Sequence, residues 1–490
     1  MSVFFKDIST DHPVQNGDAE NLLSPLGLSV KPEESTDYQP IPNTERYLRE
    51  NIRRPKSEEQ DFGHAWTYRF LIRGDSITDS SLVPLKGNTV CLKDCIAVTG
   101  VLPQFFGSEA STPWTPSTDA TIVTRVLDAG ADILGTATCE HFCNSTASFT
   151  SAQGTIENPY RQGYSTGGSK SGGAALVGSG KIDTALGTEQ GGSIRVPAAF
   201  CGCVGLRTTH GLVPFEGITS GDSIDDHAGP LCQKVIEVAY CLDVISGYDD
   251  IDDKPLGAAA HGSCDYVTIS LLKEVYNQQV NEYRVRDYAT IAARKLESLG
   301  ATGEEQRIAG SSGILGRTSG RRGLGLTQLN KARLPWSNSS FQKFFPSTKN
   351  TIIDGLYLSE KFPGLYSKTV NIGRQISDAY QKSVLGSFEP TVGLTINTAV
   401  FNVTDHPVIQ VFLPVGMQVV GGLWQERKVL NDGYAWETNF DWKRIQGHGS
   451  AVQDIHKSFP AGTHLTVNER SMPELNNTAL PGLKQVGLAD

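Results

Sequence analysis

Two short glycine-rich stretches of this 490-residue chain carry hydroxyl and amine side chains at a density that could support catalysis. The first, TGGSKSGG at 166–173, places two serines and a lysine among four glycines, and the second, GTEQGGSIR, follows at 187–195. Because glycine loses more conformational freedom on folding than any other residue, such stretches usually mark a close approach of the backbone to a ligand. A nucleotide phosphate and a reacting carbonyl are the two leading candidates for that ligand.

A phosphate site is suggested by GSGK at 178–181, which has the last residues of a P-loop. A P-loop needs a glycine five positions before its final glycine and a serine or threonine after the lysine, and this chain has Ala175 and Ile182 there. This part of the chain also lacks the G-x-G-x-x-G turn of dinucleotide-binding folds. The sequence therefore argues against nucleotide binding.

A carbonyl site needs a nucleophile, a base, and backbone amides directed at the oxygen that becomes negative. The second stretch supplies two of these, because Gln190, Gly191 and Gly192 can turn their amides inward and Ser193 follows as the nucleophile. No G-x-S-x-G elbow surrounds Ser193, so the hydrolase fold built on that turn is disfavoured. The residues favour acyl transfer on a different scaffold.

A long segment around both stretches carries a resemblance to a known family. GGSKSGGAALVGSGKIDTALGTEQGGSIRVPAAFCGCVGL, at 167–206, resembles the amidase signature family. PLKGNTVCLKDCIAVTG at 84–100 is similar to the lysine segment of that family, and LPVGMQVVG at 413–421 is similar to its late strand. The resemblance covers about 80–245 and about 395–435.

The resemblance implies a Ser-Ser-Lys triad. Its nucleophile falls on Ser193, its bridging serine, held through a cis peptide, falls on Ser169, and its lysine falls on Lys93. In this mechanism the neutral lysine amine accepts a proton from Ser169, which takes one from Ser193 as that serine attacks. We therefore expect Lys93 to be buried, where desolvation lowers the pKa of its ammonium from about 10.4.

The chain departs from the family pattern at several positions. Lys170 stands where the family commonly has a second serine, and Glu189 replaces the usual aspartate before the nucleophile turn. The segments 309–336 and 384–394 also differ from the family, in the part of the chain on which the substrate pocket depends. We expect these differences to alter rate or substrate choice.

The surrounding elements predict a sheet that positions these residues. VCLKDCIAV at 90–98 and ADILGTAT at 131–138 are typical of buried strands, and DATIVTRVLDAG at 119–130 has helical spacing with a glycine stop. The alternation of strands and helices predicts an α/β protein. Together with the resemblance, it predicts a large mixed, mostly parallel β-sheet covered by helices on both faces.

Later segments predict one further helix and one further strand. NEYRVRDYATIAARKLESLG at 281–300 predicts an amphipathic helix, and VFLPVGMQVVGG at 411–422 predicts a strand. We divide the chain into a polar N-terminal arm and one amidase domain with four parts. The boundaries are 1–60 for the arm, 61–490 for the domain, about 80–245 for the signature core, about 256–390 for a helical or irregular insertion, about 391–435 for the returning core and 436–490 for a tail.

The charge balance restricts the partners of the chain. It has 43 basic and 53 acidic residues, a formal charge of −10, and no basic cluster of the kind that nucleic-acid-binding proteins show. No run approaches the length of a membrane span, and the first residues lack the features of a secretory signal. We therefore expect a cytoplasmic protein with free thiols, and neither nucleic acid nor membrane among its partners.

One motif, CEHFC at 139–143, alternates cysteine and histidine and raises the question of zinc. Its tight C-x-H-x-C spacing does not match that of zinc fingers, so we interpret its thiols as core residues. We expect the protein to use no metal and no cofactor.

These observations predict a hydrolase of carbon–nitrogen bonds in linear carboxylic amides, with a small-molecule amide as its substrate. A role in making or degrading a small secondary metabolite agrees with this prediction, and a homodimer stays open. The alternative is a non-catalytic amidase-like scaffold or an amidotransferase A-type subunit.

Overall fold

The computed structural model describes most of the signature region and part of the later chain. The helix predicted at 281–300 and the segments 309–336 and 384–394 lie outside the described residues, as do most of the N-terminal arm and nearly all of the tail. The described residues are 46–75, 84–102, 108, 115–116, 118–219, 221, 225–249, 252, 268–272, 302–306, 337–365, 367–372, 374, 398–411 and 416–439.

A nine-stranded mixed sheet runs through the described residues, beside two small two-stranded sheets. The strands are β1 (Glu50–Arg53), β2 (Trp66–Ile72), β3 (Thr89–Lys93), β4 (Asp132–Ala137), β5 (Glu157–Asn158), β6 (Arg161–Ser165), β7 (Thr184–Glu189), β8 (Val204–Arg207), β9 (His227–Cys232), β10 (Thr268–Leu272), β11 (Thr302–Gln306), β12 (Val408–Val411) and β13 (Met417–Val420). The large sheet has the order β1-β2-β4-β3-β7-β9-β8-β12-β13, and the small sheets pair β5 with β6 and β10 with β11.

The direction of the strands corrects one part of the sequence prediction. The α/β class and the large mixed sheet are confirmed, and β3 pairs in parallel with both β4 and β7. The remaining pairs of the large sheet are antiparallel, so the sheet is not mostly parallel. One reason is the length of the connections, since a link as short as the one from Val411 to Met417 joins antiparallel neighbours, whereas parallel neighbours need a long crossover.

Helices cover both faces of the sheet. α1, α4 and α8 pack on one face, and α2 and α3 pack on the other. Residues 367–372 are helical as well. The helices are α1 (Thr121–Asp128), α2 (Ser171–Gly178), α3 (Arg195–Cys201), α4 (Val235–Ile245), α5 (Asn338–Gln342), α6 (Pro346–Lys361), α7 (Ala399–Thr404) and α8 (Glu426–Asn439), with 3-10 helices at Ser57–Glu59 and His141–Cys143.

Within the described residues, no helix combines the length and the apolar character that crossing a bilayer requires.

The alternation of side chains along β3 explains how the sheet positions a lysine. Val90 and Leu92 belong to the core under α1, α4 and α8, whereas Cys91 belongs to the core under α2 and α3. Successive side chains of a strand point to opposite faces. Lys93, the last residue of β3, therefore shares the face of Cys91, which is the face of the glycine-rich turns.

Helix α1 and strands β3 and β4 lie close to the segments where the sequence predicts them. The late strand predicted at 411–422 is instead part of two strands. The segment 411–422 contains the end of β12 and all of β13, which pair with each other as a hairpin. Gly416, immediately before β13, has a φ of 68°. An apolar run interrupted by such a glycine forms two strands rather than one.

Candidate functional site

Lys93 lies at the end of β3, where it is 1% exposed. Its Nζ donates hydrogen bonds to Ser169 Oγ at 2.9 Å, to Thr188 Oγ1 at 2.9 Å and to the Thr188 carbonyl at 3.3 Å. Strand β7 runs beside β3, which brings Thr188 next to the lysine. The amine is thus fixed at Ser169 by two acceptors on the neighbouring strand.

Ser169 lies in the turn that precedes α2 and is fully buried. The peptide bond between Gly168 and Ser169 is cis, as the family resemblance implies. The Ser169 carbonyl accepts a hydrogen bond from the Glu140 amide at 3.1 Å, and the Glu140 carboxylate accepts one from Ser171 Oγ at 2.8 Å. Glu140 therefore makes hydrogen bonds on both sides of Lys170, to Ser169 and to Ser171.

Ser193 completes a row of three side chains. Ser169 Oγ donates to Ser193 Oγ at 2.8 Å, and Ser193 is 5% exposed. The row Lys93, Ser169, Ser193 is continuous, so a proton can pass along it in either direction. The structure brings together three residues that the sequence places far apart.

The turn between β7 and Ser193 is shaped by its glycines. Gly192 has a φ of 131°, and a Cβ on it would lie 2.3 Å from Thr398 Oγ1. Thr398 Oγ1 donates to the Gly191 carbonyl. Within the described part of the chain, the amides of Gly191, Gly192 and Ser193 donate no hydrogen bond. The turn therefore carries donors available to an oxygen of a ligand.

Gln190 has a different environment from the glycines after it. Its side-chain amide donates to Asp226 Oδ1 at 2.7 Å, and Asp226 also accepts from the Gly221 amide at 3.1 Å. This bond ties the start of the turn to the segment before β9. The Gln190 side chain is an anchor of the turn.

Glu189 and Arg195 form a buried ion pair beneath the turn. One Glu189 oxygen accepts from the amides of Ile194 and Arg195 at 2.8 Å and 3.0 Å, and the other accepts from Arg195 Nε at 2.7 Å. The carboxylate thus bridges the end of β7 and the start of α3. Glu189, which stands where the resemblance has an aspartate, makes both contacts.

Residues from the late part of the chain bind Arg195 of this ion pair. Arg195 donates to Gln418 Oε1 at 2.6 Å, to the Thr398 carbonyl at 2.7 Å and to Asn402 Oδ1 at 2.8 Å. These partners come from α7, the residue before it and β13. The returning segment therefore supports the nucleophile turn directly.

The surroundings of Lys93 differ from the sequence expectation. Burial lowers the pKa of its ammonium, as expected, but the thiol groups of Cys143, Cys95 and Cys139 raise it, and the net effect is a pKa above the ordinary lysine value. The physical reason is negative charge on the Cys143 sulfur, whose pKa is lowered, because this charge favours the protonated lysine. The expectation that the pKa of Lys93 is lowered is therefore wrong.

Lys170 lies outside the row of Lys93, Ser169 and Ser193. It is 1% exposed, and its Nζ donates to the Ala185 carbonyl. Its side chain fills the space above Gly187, where an added Cβ would lie 2.5 Å from the lysine Cδ. Burial lowers the pKa of Lys170 to about 8.

The CEHFC motif does not gather into a metal site. His141 is buried, and its Nδ1 lies 3.0 Å from Thr348 Oγ1 in α6. Among the described residues, no group of three or more His, Cys, Asp or Glu side chains is arranged to hold a metal ion. Cys139 is buried, whereas Cys143 is half-buried and lies beside Lys93.

Sequence reasoning missed two contributors to this site. Thr188 holds Lys93 by two hydrogen bonds, and its position directly before Glu189 in the motif was the available indication. Cys143 was interpreted as a core thiol, since nothing in the sequence links the CEHFC motif to β3. Both contacts depend on the pairing of strands that the sequence does not specify.

Comparison with known proteins finds a family model and several relatives that match this chain. A family model described as Amidase matches residues 73–312. The A-type subunit of the glutamyl-tRNA(Gln) amidotransferase from Natronomonas pharaonis is 39% identical over 248 residues, covering 49% of this chain and 58% of that relative. The corresponding protein from Haloarcula marismortui, which has the same name, is 32% identical over 425 residues, covering 75% of this chain and 99% of the relative.

Relatives with hydrolase names match as well. An enantioselective amidase of Rhodococcus rhodochrous is 44% identical over 192 residues, covering 39% of this chain and 36% of that enzyme. This match and the Natronomonas match each span less than two thirds of the relative. The solved structure of a peptide amidase from Stenotrophomonas maltophilia superposes with a TM-score of 0.52 at 26% identity, covering 73% of this chain and 83% of that one.

Proposed function

Because this chain belongs to the amidase family, we propose that it hydrolyses the carbon–nitrogen bond of a small-molecule carboxylic amide through an acyl-enzyme on Ser193. The observation that supports this proposal most is the continuous row of hydrogen bonds from Lys93 through Ser169 to Ser193. A nucleophile joined to a base through one further hydroxyl is an arrangement that activates serine for attack.

In the acylation step, Ser193 Oγ attacks the amide carbonyl and passes its proton to Ser169 Oγ, while the Ser169 proton moves to the neutral Lys93 amine. The carbonyl oxygen becomes negative and is stabilised by the backbone amides of the Gln190–Gly192 turn. When the carbon–nitrogen bond breaks, the leaving nitrogen takes a proton back along the same row. An amine or ammonia departs, and the acyl group stays on Ser193.

Deacylation uses the same groups in reverse order. Water attacks the acyl carbonyl and gives a proton to the row, and Ser193 regains its proton as the carboxylic acid leaves. Lys93 therefore acts as base and then as acid in each half of the reaction. This cycle is complete with the side chains of one protein chain.

An amidotransferase A-type subunit is the second candidate function. The observation that favours it is the similarity to A-type subunits of glutamyl-tRNA(Gln) amidotransferases, one of which is matched over 99% of its length. Such a subunit would use the same row of side chains but would act within an assembly. A non-catalytic scaffold is the third outcome that an experiment must separate.

The test is an assay of the purified chain alone on a panel of aryl and aliphatic amides, with release of ammonia or amine as the readout. We expect turnover by the wild type and only background with Ser193→Ala. Ser179→Ala is the matched control, because this hydroxyl, directly after α2, bonds the Leu176 carbonyl and not the row. Turnover that begins only after partner subunits and charged tRNA are added would favour the amidotransferase role, and a folded chain that is silent in every assay would favour the scaffold.

A further inference from the structure

Thr398, the residue before α7, directs its side chain at the nucleophile turn between β7 and Ser193. It is the N-cap of α7, where a threonine usually accepts a hydrogen bond from an amide of its own helix. Among the described residues it makes no such cap bond, and its Oγ1 donates to the Gly191 carbonyl. Thr398 is 5% exposed, and its own carbonyl accepts from Arg195 and from the Phe401 amide. The hydroxyl is therefore carried by a fixed backbone.

The bond from Thr398 sets the direction of one peptide unit. Gly168–Ser169 is the one cis peptide among the described residues, so the peptide between Gly191 and Gly192 is trans. In a planar trans peptide the carbonyl and the following amide point in opposite directions. Because the Gly191 carbonyl points at Thr398, the Gly192 amide points away from α7. This amide is one of those that the proposed reaction needs at the carbonyl oxygen of the substrate.

The local backbone does little to keep this peptide in one orientation. It joins two glycines, which have no Cβ to restrict rotation of the unit about its flanking bonds. Gly192 has a φ of 131°, and a Cβ on it would lie 2.3 Å from Thr398 Oγ1. Glycine at 192 thus makes room for the threonine hydroxyl and leaves a peptide that needs the bond to this hydroxyl.

The neighbouring peptides of the turn have partners of their own. Asn402 Nδ2 donates to the Glu189 carbonyl at 3.3 Å. The Val196 amide donates to the Gly192 carbonyl at 2.7 Å. Loss of the Thr398 hydroxyl therefore leaves these two bonds in place and releases the peptide between the two glycines.

We propose that Thr398 is a positioning residue, whose hydroxyl holds the Gly191–Gly192 peptide so that the Gly192 amide faces the carbonyl oxygen of the substrate. The effect on catalysis rests on the proposed function, since it concerns an oxygen that becomes negative as Ser193 attacks. A donor to this negative charge acts in the transition state more than in substrate binding. Loss of the hydroxyl therefore lowers kcat and leaves KM in place.

The test combines steady-state kinetics on one amide substrate with crystal structures of the free proteins. Thr398→Val replaces the hydroxyl with a methyl group, and we expect kcat to fall by about 10² or more, with KM unchanged and the Gly191–Gly192 peptide rotated. Thr398→Ser keeps the hydroxyl and is expected to retain most of the kcat and the wild-type orientation. Thr398→Ala removes the hydroxyl without adding a methyl group and should change kcat and the peptide in the same direction as Thr398→Val.

Thr208→Val is the matched control for these variants. Thr208 is 1% exposed, and its hydroxyl donates to the Ala228 carbonyl of β9 and not to the turn. This variant also exchanges a buried hydroxyl for a methyl group, so it reports the general effect of the substitution. It should retain the wild-type kcat and the wild-type orientation of the Gly191–Gly192 peptide.

Wild-type kcat in a folded Thr398→Val protein, or equal losses in Thr398→Val and Thr398→Ser, would overturn the proposal. An unrotated peptide in both Thr398→Val and Thr398→Ala would overturn it as well. The crystal structures need no enzymatic activity, so they separate this inference from the proposed function. A rotated peptide in a protein that cleaves no amide would retain the positioning role and reject the function. Amide turnover with kcat and the peptide unchanged in Thr398→Val would do the reverse.

Discussion

At Lys93, burial and neighbouring sulfur act in opposite directions on one amine. Burial disfavours the ammonium, and the thiol groups around it favour the ammonium more strongly. In the proposed reaction the free amine is the active form, so kcat/KM rises as pH climbs through the pKa of Lys93. Because that pKa is raised, the rise lies on the alkaline side.

Cys143→Ala is expected to move this rise of kcat/KM to lower pH. The variant removes negative charge from beside Lys93, so that burial has a larger share in setting the pKa of the amine, and burial lowers it. The measurement is kcat/KM against pH on one amide substrate. Cys201→Ala, which removes a buried thiol bonded to the Thr166 carbonyl, is the matched control and should leave the profile in place. A profile of Cys143→Ala that stays unchanged or moves to higher pH would refute this electrostatic account.

Ser169→Ala and Ser193→Ala are expected to differ in residual activity. Loss of Ser193 removes the attacking atom and should leave only background, whereas loss of Ser169 interrupts proton transfer but keeps the nucleophile. Proton transfer by a positioned group contributes about 10² to 10⁴ in rate, which sets the loss for Ser169→Ala. Single-turnover kinetics on an activated amide would measure both. Full activity in Ser169→Ala would show that the bridging role is assigned wrongly.

The sequence indicated the members of this row but not their electrostatics. Ser169, Ser193 and Lys93 were predicted from motifs, and the structure places them at hydrogen-bonding distances. Their catalytic roles stay a prediction. The pKa of Lys93 was predicted in the wrong direction because the thiols that determine it are separated from it in the sequence, and only the folded sheet brings Cys143 to β3.

The turn between β7 and α3 depends on one buried carboxylate. Glu189 accepts from two backbone amides at the start of α3 and from the Arg195 guanidinium. Arg195 in turn bonds the returning segment at Asn402 and Gln418. Removing one partner of such a pair leaves an uncompensated buried charge, which is more costly than the pair itself is stabilising.

Glu189→Gln is therefore expected to lower the free energy of unfolding by about 3 to 5 kcal/mol, as typical for a broken buried ion pair. Urea denaturation followed by circular dichroism measures it. The control is Glu59→Gln, which breaks the exposed pair with Arg53 and should shift the urea midpoint far less. Equal shifts in the two variants would mean that the Glu189–Arg195 pair does not hold the turn.

Element positions were predicted better than element pairing. The apolar runs at β3 and β4 and the helical spacing at α1 indicated these elements within a few residues. The hairpin of β12 and β13 was predicted as one strand, since its apolar residues continue up to a turn that Gly416 makes. Hydrophobic periodicity reports which face a strand buries and not the direction of its neighbour, so the antiparallel flanks of the sheet were missed.

The buried ammonium of Lys170 lowers the free energy of unfolding of the whole protein at neutral pH. The side chain of Lys170 is buried against Gly187 of β7, and this burial lowers its pKa to about 8. Relative to about 10.4 for a lysine in the unfolded chain, this shift corresponds to roughly 3 kcal/mol against the charged form. Between these pH values the unfolded state binds more protons than the folded state, so this group makes the protein more stable as pH rises.

Lys170→Met is expected to stabilise the protein at pH 7, by up to about 3 kcal/mol, and to lose most of this advantage near pH 10. The reason is that methionine has a similar length and carries no charge at any pH. Urea midpoints of wild type and variant at several pH values measure the difference. Lys368→Met, at an exposed position in the helical stretch 367–372, is the control and should change the urea midpoint far less. A constant difference for Lys170→Met would indicate a packing effect instead.

The central claim is that Lys93 and Ser169 activate Ser193, and labelling with a fluorophosphonate probe tests it most directly. The account predicts one adduct on Ser193 of the folded wild type, located by peptide mass spectrometry, and labelling that is slower by about 10² or more in Lys93→Ala, where the base is gone. Ser179→Ala, which loses only a bond to the Leu176 carbonyl, should label at the wild-type rate. Absence of an adduct on Ser193 of the folded protein, or equal labelling rates in wild type and Lys93→Ala, would contradict the account.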